Sequence, residues 1–269
     1  MKRLLLSALV TLFTFSAMAD ELYNALFNVA LKESVSSAKE TLAEWEQKGP
    51  KDGDYYSAYF HLHMQQALAY GLKTSKYMPL YAADKHVQFK DSLGGISHYM
   101  YSEITIADST QLDSAITWVK KGIEKFPNRL DLRLALPNTF RFLDDAGRAY
   151  IYMEEIVNWA IANPDSAWIW TSDEPVKKDD APVEEYLQDF FSNCNSSTWH
   201  KDLAIKFVDL GLRLAPNDPM FWNDKAGLRI EAGDYQGALE IMEEAHKKNP
   251  DNKYISTNIE RLKELMKEQ

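Results

Sequence analysis

An all-α chain, an α-solenoid of antiparallel helix pairs, is the fold class that three features of the sequence predict. Strand-type runs are almost absent, with Glu103-Ile104-Thr105-Ile106 the one short candidate. Segments of helical length, mixing apolar and charged residues, follow one another instead. The third feature is a recurring stop, in which a helical run meets a proline with a polar residue beyond it, at Pro50, Pro127, Pro164, Pro216 and Pro250. Proline cannot continue a helix, so a repeated proline marks a repeated exit. The spacings are 77, 37, 52 and 34 residues. The last equals the period of a helix-turn-helix repeat, the second exceeds it by three, and the other two fit inserted or intervening repeats.

Along the chain, Lys2 and Arg3 precede an apolar run from Leu4 to Phe15 and then Ala17-Met18-Ala19. This pattern predicts a secretory signal peptide over residues 1–19, cut after Ala19. The apolar run is too short to span a bilayer of roughly 30 Å comfortably. Asp20 follows the cut, so the cysteine that a lipid anchor needs there is absent. The mature chain, 20–269, is expected to be periplasmic or secreted, with no integral membrane segment once the signal is removed.

Cleavage lowers the 30 basic residues to 28 against 40 acidic ones, a formal charge of −12. Nucleic acid is thereby disfavoured as a partner, because affinity for phosphate backbones comes from Lys and Arg displacing counterions. With 45% hydrophobic residues the composition is that of a folded chain. Cys194 is the single cysteine, so no intramolecular disulfide forms and helix packing must hold the fold.

The stretch Pro219–Pro250 carries a family resemblance. Trp222 stands at its fourth position and Ala226 at its eighth, Gly233-Asp234-Tyr235 forms the turn, Ala238 and Ala245 lie on the second helix, and Pro250 closes the unit. In these landmarks it resembles a tetratricopeptide repeat, in which small residues allow close helix approach and Gly233 ends the first helix. It departs from the pattern at Lys225 and Arg229, where large apolar residues are usual. Weaker echoes of the same register are Ala204 and Gly211 before Pro216, Ala115 and Gly122 before Pro127, and Leu26, Ala38 and Trp45 before Pro50. The resemblance covers residues 185–250 well and the rest of the mature chain at low similarity.

Two segments break the helical rhythm. One is Gly94–Thr110. The other is an inserted loop at about 168–182, which holds Trp168-Ile169-Trp170 and accounts for the 52-residue spacing. Residues 252–267 place Ile255, Ile259, Leu262 and Met266 on one stripe, the pattern of a capping helix with one wet face.

No motif of catalysis, phosphate binding or metal ligation holds: GxGxxG, GxxxxGK[ST], HExxH, GxSxG and CxxC are all missing. His61 and His63 fall on different faces of a helix and cannot clamp one metal. No catalytic residue, metal or cofactor is therefore expected. The resemblance implies instead a groove lined by the first helix of each pair, which puts Tyr55, Tyr59 and His63 on one stripe and Asn223 and Glu231 on another. The Lys and Asn constellation with which such proteins hold a peptide carboxylate is met at the fifth position only by Asn223; Tyr55 and Leu132 stand at the earlier ones. Trp168 and Trp170 either pin their loop or meet a partner. The expected function is that of an exported, non-enzymatic scaffold holding a peptide or partner protein. The alternative is a small-ligand or glycan receptor that stacks sugars on Tyr55, Tyr59, Trp168 and Trp170.

Overall fold

The computed structural model describes residues 22–78, 86–177, 181–197 and 200–267, so the expected signal peptide lies outside the described residues. A helix runs through residues 22–33 (α1), followed by α2 (Val35–Lys48) and α3 (Gly53–Ala67). Three strands come next: β1 (Leu68–Ser75), β2 (His86–Lys90) and β3 (Ile96–Ile106). The remainder is helical, with α4 (Ser109–Lys125), α5 (Leu130–Phe142), α6 (Ala146–Ala162), α7 (Pro182–Ser196), α8 (Lys201–Leu214), α9 (Pro219–Glu231), α10 (Tyr235–Lys248) and α11 (Lys253–Leu265).

Every proline stop is a helix exit. Gly49, Phe126, Asn163, Ala215 and Asn249 are the C-caps of α2, α4, α6, α8 and α10, and each directly precedes its proline. Proline bars the residue before it from helical geometry, so the stop acts one position early. The helix starts explain part of the acidic balance. Asp52, Asp108, Asp145, Asp218 and Asp234 each cap a helix by accepting a backbone N–H, as do Ser34 and Asn252. A carboxylate there satisfies orphan donors and faces the positive end of the helix dipole.

The chain packs as two compact units. In the first, Phe27, Leu42, Trp45, Tyr55, Tyr56 and Leu62 form a core among α1, α2 and α3. Helix α4 lies close against α3 because Gly122 leaves no room for a side chain: a Cβ there would stand 2.8 Å from that of Tyr56. Phe27, 1% exposed, takes the packing place that the repeat register gives to Leu26, which is 47% exposed. The register is thus one residue off in α1.

In the second unit each helix packs on its successor from α7 through α11, the neighbour-on-neighbour arrangement of a solenoid. The repeat landmarks are buried where the register puts them: Ala204, Gly211, Ala226, Ala238 and Ala245 are all core. A Cβ on Gly211 would come within 2.2 Å of the Phe221 ring, so α8 and α9 approach as closely as they do only with glycine there. Gly233 adopts φ +77° at the α9–α10 turn, a conformation that L side chains rarely adopt. The departures are explained by ion pairs, Lys225 with Asp209 at 2.8 Å and Arg229 with Asp234 at 3.4 Å. Capping helix α11 seats Ile255 and Leu262 in the same core as Trp222 and Met242.

One expectation is corrected. Residues 68–106 are not helical with a short strand at 103–106; they form a three-stranded sheet in the order β1-β3-β2. Strands β2 and β3 are antiparallel, with Val87 opposite Met100 and Phe89 opposite His98. The physical signal is period-two alternation in Tyr70-Gly71-Leu72 and Val87-Gln88-Phe89, together with the turn at Gly94, whose φ is +84°. The all-α class describes the helical body into which this sheet is inserted.

Two predictions arise from the second unit. Burial in the α7 core pushes the Cys194 thiol up to about 12, so it stays protonated and shielded. A thiol-reactive disulfide reagent is expected to find no reactive thiol in the native protein and one after denaturation. At the start of α8, His200 Nε2 pairs with Asp144 Oδ1 at 3.2 Å, which raises the histidine pKa against a smaller opposing effect of burial. The raised folded pKa contributes stability that is full below the unfolded value of about 6.5 and is lost as pH rises through the folded value. The melting temperature is therefore expected to fall from pH 6 upward, and Asp144→Asn, compatible with the positive φ at this turn, to flatten that slope.

Candidate functional site

In the first unit, α3 carries the predicted aromatic stripe, but its members have different surroundings. Tyr55 is 2% exposed and touches Trp45, Tyr56, Tyr59 and Trp118 edge-on, so it is core and cannot meet a ligand. This corrects the groove assignment for Tyr55. The cause is that α3 is packed on two sides, by α2 and by α4. Tyr59 is half-buried and stacks on Trp118 at 3.9 Å, while Lys121 Nζ lies 4.8 Å from the Trp118 ring. Its hydroxyl donates to Glu46. His63 Nδ1 lies 2.7 Å from Gln111 Oε1 on α4. The stripe's polar tips thus bond to protein groups of the same unit.

The inserted loop is held to the first unit by a feature that sequence reading missed. Asp54 and Arg129, 2% and 1% exposed, are paired in the interior. Arg129 also donates from Nε and Nη2 to Asp131, both at 2.8 Å. Burial alone would lower the pKa of the guanidinium; Asp131 and then Asp54 more than reverse this and hold it above its ordinary value. Gly53 makes the approach possible, since a Cβ there would overlap the guanidinium. Asp54 accepts further bonds from Asn24, the Thr171 hydroxyl and the Ser172 N–H. Ser172 sits at φ 55° to direct that N–H inward. Ile169 adds backbone bonds to Asn128 and Leu130. Trp168 and Trp170 flank this anchor and are half-buried, so backbone and carboxylate fix the loop while the indoles cover it.

The second unit contains a cleft of about 250 Å³ on α9, α10 and α11. Ala226, Met242 and Leu262 form its buried floor, and the space above Gly227 is open. At the rim, Asn258 Nδ2 donates to Asn223 Oδ1 at 2.7 Å, leaving the Asn223 amide N–H groups and the Asn258 oxygen as further partners, with exposed Arg261 beside them. Predicted residue Asn223 therefore lines a cleft, whereas Glu231 does not. Glu231 is drawn to the other side, bonded to Lys201 at 2.8 Å and Asn195 at 3.2 Å. Sequence reading missed Arg261 and Asn258, which lie on the capping helix outside the repeat register.

Among the described residues, no group of three or more His, Cys, Asp or Glu is placed to hold a metal ion, and no helix is long and apolar enough to cross a membrane. No protein-family model and no curated protein matches the chain. Solved structures that it resembles include a crystal structure of MamA protein (17% identity, 58% of this chain and 74% of that one, TM-score 0.29) and MamA from AMB-1 (13%, 86% and 98%, TM-score 0.32). Another is TTC0263, a thermophilic TPR protein of Thermus thermophilus (14%, 91% and 96%, TM-score 0.30). The helix-pair fold rests on the packing of the landmark residues rather than on these overlaps.

Proposed function

We propose that this protein is an exported, non-enzymatic binding protein that holds an extended segment of a partner protein in the α9–α11 cleft. The observation that carries the reading is that cleft's construction. An apolar floor without side chains over Gly227 accepts an apolar residue of the partner, while Asn223 and Asn258 offer a donor and an acceptor to its backbone. Arg261 favours a carboxylate on the bound segment. Because packed helices form the walls before binding, little ordering entropy opposes association. The glycan alternative loses support at Tyr55 and Tyr59, whose faces pack on protein.

The test is selection of a displayed random-peptide library on residues 20–269. Recovered peptides are expected to share an apolar residue near an acidic group, and Gly227→Leu, which fills the open space, to weaken their capture by about tenfold or more with the melting temperature kept. Undiminished capture by Gly227→Leu would show that the peptides bind elsewhere.

A further inference from the structure

The β2–β3 hairpin presents apolar side chains that the fold does not use. Leu93 at its tip is 95% exposed, and Val87, Phe89 and Ile96 are exposed beside it. The tip is rigidly built: the Asp91 carboxylate accepts from the Leu93 and Gly95 N–H groups, both at 2.9 Å, and Asp91 N–H donates to the Gly95 carbonyl at 2.8 Å. Leu93 is therefore held out into solvent by a turn with its polar groups satisfied. Val87 and Phe89 share one face of β2, with Met100 and His98 opposite them on β3. Such a set of exposed apolar residues marks a contact surface.

The charge around it runs against that of the chain. Among the described residues 73–78 and 86–101, Lys73, Lys76 and Lys90 stand against a single acid, Asp91, whose carboxylate is engaged by the turn. The whole chain carries −10. Lys90 lies opposite Ile96 at the base of the tip, and Tyr77 is exposed. Apolar tip, tyrosine and lysine belt together are the composition of a membrane interface. Shape decides between a bilayer and a protein: a convex apolar point needs a matching concavity on a protein, whereas a fluid lipid surface closes around it.

We propose that this hairpin docks the protein on an anionic lipid surface, with Leu93, Ile96 and Phe89 entering the headgroup–acyl boundary and the lysines meeting lipid phosphates. The docking is peripheral and uses residues other than those of the α9–α11 cleft, so it stands or falls separately from peptide binding. The test is co-sedimentation of residues 20–269 with vesicles rich in phosphatidylglycerol, against vesicles of phosphatidylcholine alone. Binding is expected only to the anionic vesicles. Leu93→Asp should weaken it by about tenfold and Lys90→Glu by about fivefold or more, both with unchanged melting. Tyr254→Asp, an exposed position on α11, should leave it intact. The proposal is overturned if the native chain ignores anionic vesicles at low salt, or if Leu93→Asp binds them as well as the native chain does. It is equally overturned if Leu93→Asp dissociates a dimer of a chain that binds no vesicles, since a second copy then covers the hairpin.

Discussion

Replacing Arg129 with alanine is expected to lower the stability of the first unit by about 3–5 kcal/mol, because it leaves Asp54 buried without its charge partner. For a chain of this size that corresponds to a fall of roughly 6–20 °C in the melting temperature, measurable by calorimetry. Asp54 would keep its bonds from Thr171, Ser172 and Asn24, but no cation would face it. The same carboxylate holds the inserted loop, so amide exchange over residues 168–176 should accelerate more than exchange in α2. A loss below about 1 kcal/mol would mean that water reaches the pair and that the loop is anchored by its backbone alone.

Trp45→Ala is expected to cost a similar amount, about 3–5 kcal/mol by chemical denaturation. Its ring is fully buried, stacked on Tyr23 at 5.7 Å and edge-on to Tyr55 at 5.9 Å. Its indole N–H donates to the Pro50 carbonyl at 2.9 Å, so truncation both opens a cavity and orphans an acceptor. Gly49 is shaped around it, since a Cβ there would come within 2.3 Å of the indole. Trp222 repeats the device with the Pro216 carbonyl at 2.9 Å. The repeat register, which favours a small residue at position 45, would predict a mild effect; a mild result would show that α2 can close onto its neighbours.

These two residues show how far the sequence could be read. Proline stops and small residues are local signals, and Pro127, Pro216, Gly211 and Ala245 act in the structure as their spacing implies. Asp54 and Arg129 are 75 positions apart and leave no periodic mark; Asp54 reads in sequence as an ordinary first-turn acid. The sheet was concealed for a different reason: its strands alternate over only a few residues each, and a helical reading absorbs runs that short. Of the candidate site, Asn223 was legible because it sits inside the best-matching repeat. Its partners Asn258 and Arg261 were not, because a capping helix follows no consensus. Tyr55 was misplaced because the register names the face a residue takes on an isolated pair, and α3 is covered by α4 as well.

Hydrogen exchange on residues 20–269, with and without a peptide recovered by selection, tests the central claim most directly. Slowing confined to α9 and α11 is the result expected if an extended segment lies on Asn223, Gly227 and Arg261. Slowing at α3 and residues 168–176, with α9 and α11 unchanged, would contradict it and move binding to the first unit.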